Sequence, residues 1–175
     1  MHHLQTIYHL QPSASARVQQ RQAVRGIVAR GRELLLLYTG RYDDYSLPGG
    51  GVEADEDHSL ALARELAEET GAREVNIQRP FGLIDEFRPP RGDYDVLHML
   101  SYCYVCQIAA TLAAPQMEAY EIKNRMEVRW LDVDAAIAHN EAVLQRGAPG
   151  MGLSIVRETV LLKLIAQALD NGQLQ

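Results

Sequence analysis

The chain has 175 residues, a formal net charge of −6, 47% hydrophobic residues and two cysteines. At that length one domain with its own core is expected, and the acidic balance argues against a surface that coats nucleic acid. No apolar run is long enough to span a bilayer, Met1-His2-His3-Leu4 lacks the regions of a secretory leader, and two cysteines fit a reducing compartment, so a cytoplasmic chain without a membrane partner is expected.

Residues 3–11 read as a short strand, with Leu4, Thr6, Tyr8 and Leu10 on one side. Residues 11–22 are polar and carry Pro12, which reads as a connector. Residues 23–29 and 33–38 read as two strands around a turn at Arg30-Gly31-Arg32. Leu34 to Leu37 form a continuous apolar run, as expected of a strand buried on both faces. A helix is predicted over 58–70. Residues 75–86 follow as a strand or strand pair broken near Pro80, then a long strand over 96–108 and a shorter one over 126–131. Asp132 is placed to cap a helix over 133–145. Gly147 to Gly152 is a break, and an amphipathic helix over 153–169 turns Val156, Val160, Leu161, Leu164, Ala168 and Leu169 to the core. The expected organisation is a strand and connector over 1–22, followed by one domain over 23–175.

The helix over 58–70 carries the chemistry. Glu65, Glu68 and Glu69 stand at i, i+3 and i+4, so they are neighbours on its surface. Leu60, Leu62, Ala63, Leu66, Ala67 and Thr70 fill the opposite arc, and Gly71 stands where a left-handed C-cap is expected. Three carboxylates on one face repel each other, and a cation among them removes the repulsion. Mg²⁺ suits such a face, because it takes oxygen ligands and is held by a few carboxylates plus substrate phosphates. By itself the run reads first as a solvated acidic face, since charge runs are usually solvated.

The surrounding residues narrow the choice. Gly50, Glu56, Arg64-Glu65, Leu66, Glu68-Glu69 and Gly71 follow at fixed spacings, led in by Leu47-Pro48-Gly49. This segment resembles the signature of the Nudix hydrolases, and departs from it only where Ala72 replaces a larger aliphatic residue. The resemblance implies an α+β fold, an α/β/α sandwich with a central mixed β-sheet. It implies a pyrophosphohydrolase that uses Mg²⁺ or Mn²⁺ on a nucleoside diphosphate linked to another group. Glu65, Glu68 and Glu69 would be metal ligands together with the Gly50 backbone, and one of the glutamates could act as base. Arg64 would pair with a neighbouring Glu and fix its rotamer, and Glu56 would support. A further carboxylate at a variable position is common in the family. Glu118, Glu121 and Glu127 are the candidates, of which Glu121, in a predicted loop, and Glu127, at the start of a strand, are carried forward.

Substrate choice is expected to lie in loops. In Asp85 to Tyr94, Arg88 and Arg91 could meet phosphates, and Phe87 or Tyr94 could stack on a base. Arg41 precedes the glycine turn and could border the pocket. Pro89 and Pro90 lie near the proline that the family associates with ADP-ribose, slightly off its spacing. The expectation is therefore ADP-ribose or a nucleotide-sugar. A nucleoside triphosphate pyrophosphohydrolase acting on damaged nucleotides is the alternative, and a non-hydrolytic nucleotide sensor is another. A sensor need not keep the metal face. A nucleic-acid regulator needs an added binding unit, yet one clear helix follows Asn140. A homodimer through the N-terminal strand or the C-terminal helix is also expected.

Other residues read as structural. Cys103 and Cys106 spell CxxC in a strand, where i and i+3 face opposite ways, so both are expected to pack. The six histidines show no metal-ligand spacing. His98 reads as structural, His58 could touch a metal or phosphate, and Trp130 is expected in the core.

Overall fold

Two blocks of strand-forming sequence flank the carboxylate helix, and each of the two sheets draws strands from both. The computed structural model describes residues 1–90, 92–147 and 150–174. Its elements are, in order, β1 (His3–Tyr8), β2 (Val18–Ile27), β3 (Ala29–Arg30), β4 (Glu33–Thr39), β5 (Asp44–Ser46), α1 (His58–Thr70), β6 (Asn76–Arg88), β7 (Val96–Gln107), α2 (Ala119–Lys123), β8 (Met126–Asp132), α3 (Val133–Arg146) and α4 (Ser154–Asp170). The first sheet has the order β1-β6-β7-β2 and is mixed: β6 and β7 are antiparallel, and each pairs in parallel with its outer neighbour. In the second, β4 pairs antiparallel with β8 on one side and with β3 and β5 on the other.

The apolar run of β4 is the seam between two cores. Leu34 to Leu37 are all buried. Leu34 and Leu36 pack with Val133 and Ala136 of α3 and Leu161, Leu162 and Ile165 of α4. Leu35 packs the other way, with Ala61, Leu62 and Leu66 of α1. Strand alternation thus places α1 on one side and α3 with α4 on the other. The two cysteines follow the same rule. Cys103 joins the first cluster and Cys106 the second. Both are free thiols, and burial pushes each up to about 12.

Helix ends are fixed by their own residues. Asp57 accepts from the Ser59 and Leu60 N–H groups at 2.8 and 2.9 Å and starts α1, a cap worth about 1 kcal/mol. Gly71, at φ 71°, ends it. Asp132 caps α3 as expected, accepting from the Asp134 and Ala135 N–H groups.

Four expectations change. The stretch 11–22 is not all connector, because β2 begins at Val18 and pairs with β7 through its polar residues. Pro80 does not break β6. Register shifts on either side of it, at Ile77/Arg79 and Pro80/Gly82, absorb its missing N–H. The short elements β5 and α2 were not foreseen, and α2 contains Glu121, assigned above to a loop. The buried stripe of α4 is Ile155, Leu161, Leu162, Ile165, Ala166 and Ala168, with Arg157, Glu158 and Thr159 inside it, whereas Val156, Val160, Leu164 and Leu169 are only partly covered.

Candidate active site

Residues 48–52 form the roof of the site. They run beside β2, with the Gly26 N–H donating to Pro48 O and the Val24 N–H to Gly50 O, both at 2.9 Å, and the Val52 N–H to Gln22 O at 3.1 Å. This close approach requires glycine at two positions. Gly49 holds φ 134°, and a Cβ there would run into the Val24 carbonyl. A Cβ on Gly50 would collide with the Glu65 carboxylate. The glycine turn and the helix carboxylates are therefore in direct contact.

Under this roof the acidic face of α1 is not simply solvated. Glu65 is 9% exposed and Glu69 5% exposed, while Leu60 and Ala67, assigned to the apolar arc, face solvent. Glu69 accepts from the Gly49 N–H at 2.6 Å. Burial raises its pKa well above the carboxylate range; the Gly49 N–H and Arg25 oppose this, and the negative charges of Glu65 and Glu121 add to it. Burial also raises Glu65, against the pull of Arg64 and Arg25. Two buried acids held close together have a strained charge balance that a cation relieves.

Arg64 organises the rest. It binds Glu56 through two bonds of 2.9 Å, Glu65 Oε1 at 2.9 Å, Glu68 Oε2 at 3.2 Å and the Gly51 carbonyl at 3.1 Å. Its hydrogen bonds hold the Glu56 carboxyl below its ordinary range. Glu68, the most exposed of the three helix glutamates, has only the longer contact to Arg64.

A cleft of about 380 Å³ opens beside this group, lined at one end by Gly49, Gly50, Gly51 and Glu69. Arg21, Arg25, Arg88, Arg157 and Glu158 line its wall. Strand alternation puts Arg21 and Arg25 of β2, Met99 of β7 and Arg88 of β6 on one sheet face. Arg88 thus lies where a substrate contact was expected. Phe87, its neighbour in β6, points to the opposite face and stacks between Tyr8 and His98, at 5.1 and 4.3 Å between centroids. Arg41 is exposed, over the Tyr42 ring and hydrogen-bonded to Asn124. Glu127 is exposed and pairs with Arg129. These three lie away from the cleft wall that Arg88 joins. Arg91 falls outside the described residues.

Of the two extra carboxylates, Glu121 is the one the fold brings close. It is 2% exposed, accepts from the Glu118 N–H at 2.6 Å and the Tyr120 hydroxyl at 3.1 Å, and its charge is felt at Glu69. His58 is held by Tyr104 and Gln22 at 2.7 and 3.0 Å, His98 lies 3.0 Å from Asp85, and Trp130 packs on the α1 core under the Arg30 guanidinium.

The donor set suits a hard divalent cation: oxygen ligands only, two of them buried acids with raised proton affinity, beside the Gly50 carbonyl. Among the described residues no group of three His, Cys, Asp or Glu side chains stands ready to hold a metal ion. The Arg64 guanidinium instead occupies the space among Glu56, Glu65 and Glu68.

The sequence reading missed Arg25, Arg157 and Glu158. Each had a signal. Arg21 and Arg25 share a face with Ala23 between them, and Arg157-Glu158 interrupts the apolar stripe of a helix, where charges persist only when paired.

A NUDIX domain model matches residues 19–149. A curated relative from Streptomyces rubellomurinus, named CMP-5'-(N-acetyl-N-hydroxy-3-aminopropyl)phosphonate hydrolase, is 29% identical over 109 residues, which is 60% of this chain and 48% of the relative. The chain thus spans about half the length of that relative. A NUDIX hydrolase from Nitrosomonas europaea has a similar fold, with a TM-score of 0.57 at 16% identity over 73% of this chain and 85% of that one. The crystal structure of a UDP-X diphosphatase gives 0.50 at 17% identity, over 77% and 67%. With the glycine turn, the braced helix carboxylates and a domain match over most of its length, the chain belongs to the Nudix family of hydrolases.

Proposed function

We propose that the chain hydrolyses a phosphoanhydride bond in a nucleoside diphosphate linked to another group, ADP-ribose or a nucleotide-sugar, with Mg²⁺ or Mn²⁺ as cofactor. One observation carries the reading: Glu65 and Glu69 are buried against a glycine turn whose backbone needs their side chains close, with Arg64 bracing Glu65, Glu68 and Glu56. The Streptomyces relative is named for hydrolysis of a CMP-linked phosphonate, a nucleotide bridged through phosphorus to a further group. That chemistry agrees with the proposal.

A divalent ion, when bound, neutralises the diphosphate and lowers the pKa of an attacking water. The chain's own residues supply the frame. Glu65 and Glu69 would hold the ion with the Gly50 carbonyl. Glu68, the most exposed, would accept the proton of the water. Arg64 would keep Glu65 in its rotamer, and Glu56 would keep Arg64 in place. Arg25 would face the diphosphate charge from the cleft wall.

The test is a panel of nucleotide-sugars, dinucleotides and nucleoside triphosphates, with products separated by chromatography, in Mg²⁺ and in EDTA. Mg²⁺-dependent cleavage of a diphosphate derivative, lost in Glu68→Gln, is expected. Preference for triphosphates would replace the substrate assignment. No turnover of any member would remove the hydrolase reading.

A further inference from the structure

The cleft wall opposite the glutamates holds more hydrogen-bond donors than acceptors. Arg157 is buried and donates to Glu86 Oε2 at 2.6 Å and to Glu158 Oε1 at 3.0 and 2.5 Å. Arg88 donates to both Glu86 oxygens at 2.9 and 2.8 Å, and His9 Nε2 lies 3.1 Å from Glu86 Oε1. The Leu47 N–H takes Glu158 Oε2 at 3.0 Å. Every carboxylate oxygen of this network is therefore engaged. Arg25 Nε is 3.7 Å from Glu158 Oε1, too far for a hydrogen bond. Arg25 Nε and Arg88 Nε have no acceptor. Arg21 lines the same wall and has no ion pair among the described residues. Native interiors rarely leave such donors unmatched, and each one costs stability.

The charges agree with this count. Arg21, Arg25, Arg88 and Arg157 stand with Glu86 and Glu158 on this wall, and Glu69 lies at the end of the same cleft. Burial lowers the pKa of Arg88, and repulsion from Arg157 and Arg25 lowers it further. Arg25 is felt at Glu65 and Glu69, which places it between the two ends of the cleft. Guanidinium forks match carboxylate and phosphate oxygens in pairs.

We propose that Arg88, with Arg25 beside it and Arg157 holding Glu86 and Glu158 in place, forms an anion subsite for the group beyond the scissile diphosphate. The chain then favours substrates whose non-nucleotide moiety itself carries a carboxylate or a phosphate. This rests on reading the cleft as the substrate site.

The experiment has a binding arm and a turnover arm. Inorganic phosphate and succinate are titrated by calorimetry in EDTA, where no hydrolysis occurs, into the wild-type chain, Arg88→Gln, Arg88→Lys and Glu141→Gln. The expected result is saturable binding of at least one anion, weakened at least tenfold in Arg88→Gln and partly restored in Arg88→Lys. Glu141→Gln, on α3 where Glu141 pairs with Lys163, should bind as the wild type does. The stronger of the two probes tells phosphate from carboxylate. In the turnover arm, kcat/KM is compared for UDP-glucuronate and UDP-glucose, which differ by one carboxylate. If that pair is cleaved, a preference of about tenfold for the acid, lost in Arg88→Gln, supports the subsite. Absence of anion binding by folded wild type, or binding indifferent to Arg88→Gln, overturns it. If Arg88→Gln does not fold, Arg88→Lys decides: binding weaker than that of the wild type supports the subsite, and unchanged binding overturns it. Cleavage of no diphosphate in any panel, with Arg88-dependent binding intact, counts against hydrolysis and leaves the subsite standing.

Discussion

Arg64 makes five contacts with Glu56, Glu65, Glu68 and the Gly51 carbonyl, so one side chain sets the geometry of the acidic face. Partners that orient metal ligands typically matter 10- to 100-fold when removed. Arg64→Gln should therefore lower kcat by about that factor while the circular dichroism spectrum stays native. An unchanged kcat would show that the glutamates orient themselves. At this scale the sequence was informative about the glutamates and Arg64, because helical spacing alone makes 64, 65, 68 and 69 neighbours. It was uninformative about the strand residues Phe87 and Glu127. Which of two adjacent strand residues faces the cleft depends on which sheet face is covered, and that is decided by α1 and α4, far away in the chain.

Among the elements, the carboxylate helix was legible because it carries its own periodicity and caps, and the Leu34–Leu37 strand because its apolar run is continuous. The polar start of β2 was not. Gln19, Gln20, Arg21 and Gln22 show no apolar alternation, since one face lines the cleft and the other is open or bonded to His58. Parallel pairing with β7 makes the strand, and that partner lies about eighty residues on. The short strand β5 supports a pH prediction. Burial, with the charge of Glu158 adding to it, raises the Asp44 carboxyl to about 6. The folded chain then holds this proton more tightly than the unfolded chain, whose value is near 3.8. The stability due to Asp44 is full below that value, falls as pH rises towards 6, and stays low above it. The span corresponds to about 3 kcal/mol. Asp44→Asn should raise the melting temperature at pH 8 and lose that advantage near pH 4. A gain independent of pH would contradict this assignment.

For the whole molecule, α4 is joined to the first sheet by charge as well as by apolar packing. Arg157 links Glu158 of its own helix to Glu86 of β6, and Glu158 in turn accepts the Leu47 N–H that leads into the glycine turn. Removing one member of a buried ion network strands the others, typically at about 3–5 kcal/mol. Arg157→Met should cost that much in urea denaturation; a loss below about 1 kcal/mol would mean that water reaches the pair. Strand β1 is the edge of its sheet, so self-association through it is the proposed assembly. Light scattering at micromolar concentration is expected to give a dimer mass, and a monomer mass would reject it. The central claim is that the glycine turn and the α1 glutamates form a metal-dependent site for splitting a diphosphate. The most direct test is a Mg²⁺ titration of diphosphate cleavage, wild type against Glu68→Gln at equal thermal stability. Saturable Mg²⁺ activation in the wild type, with cleavage reduced at least a hundredfold in the variant, is the predicted result. Cleavage that is independent of Mg²⁺, or equal in the two proteins, would contradict it.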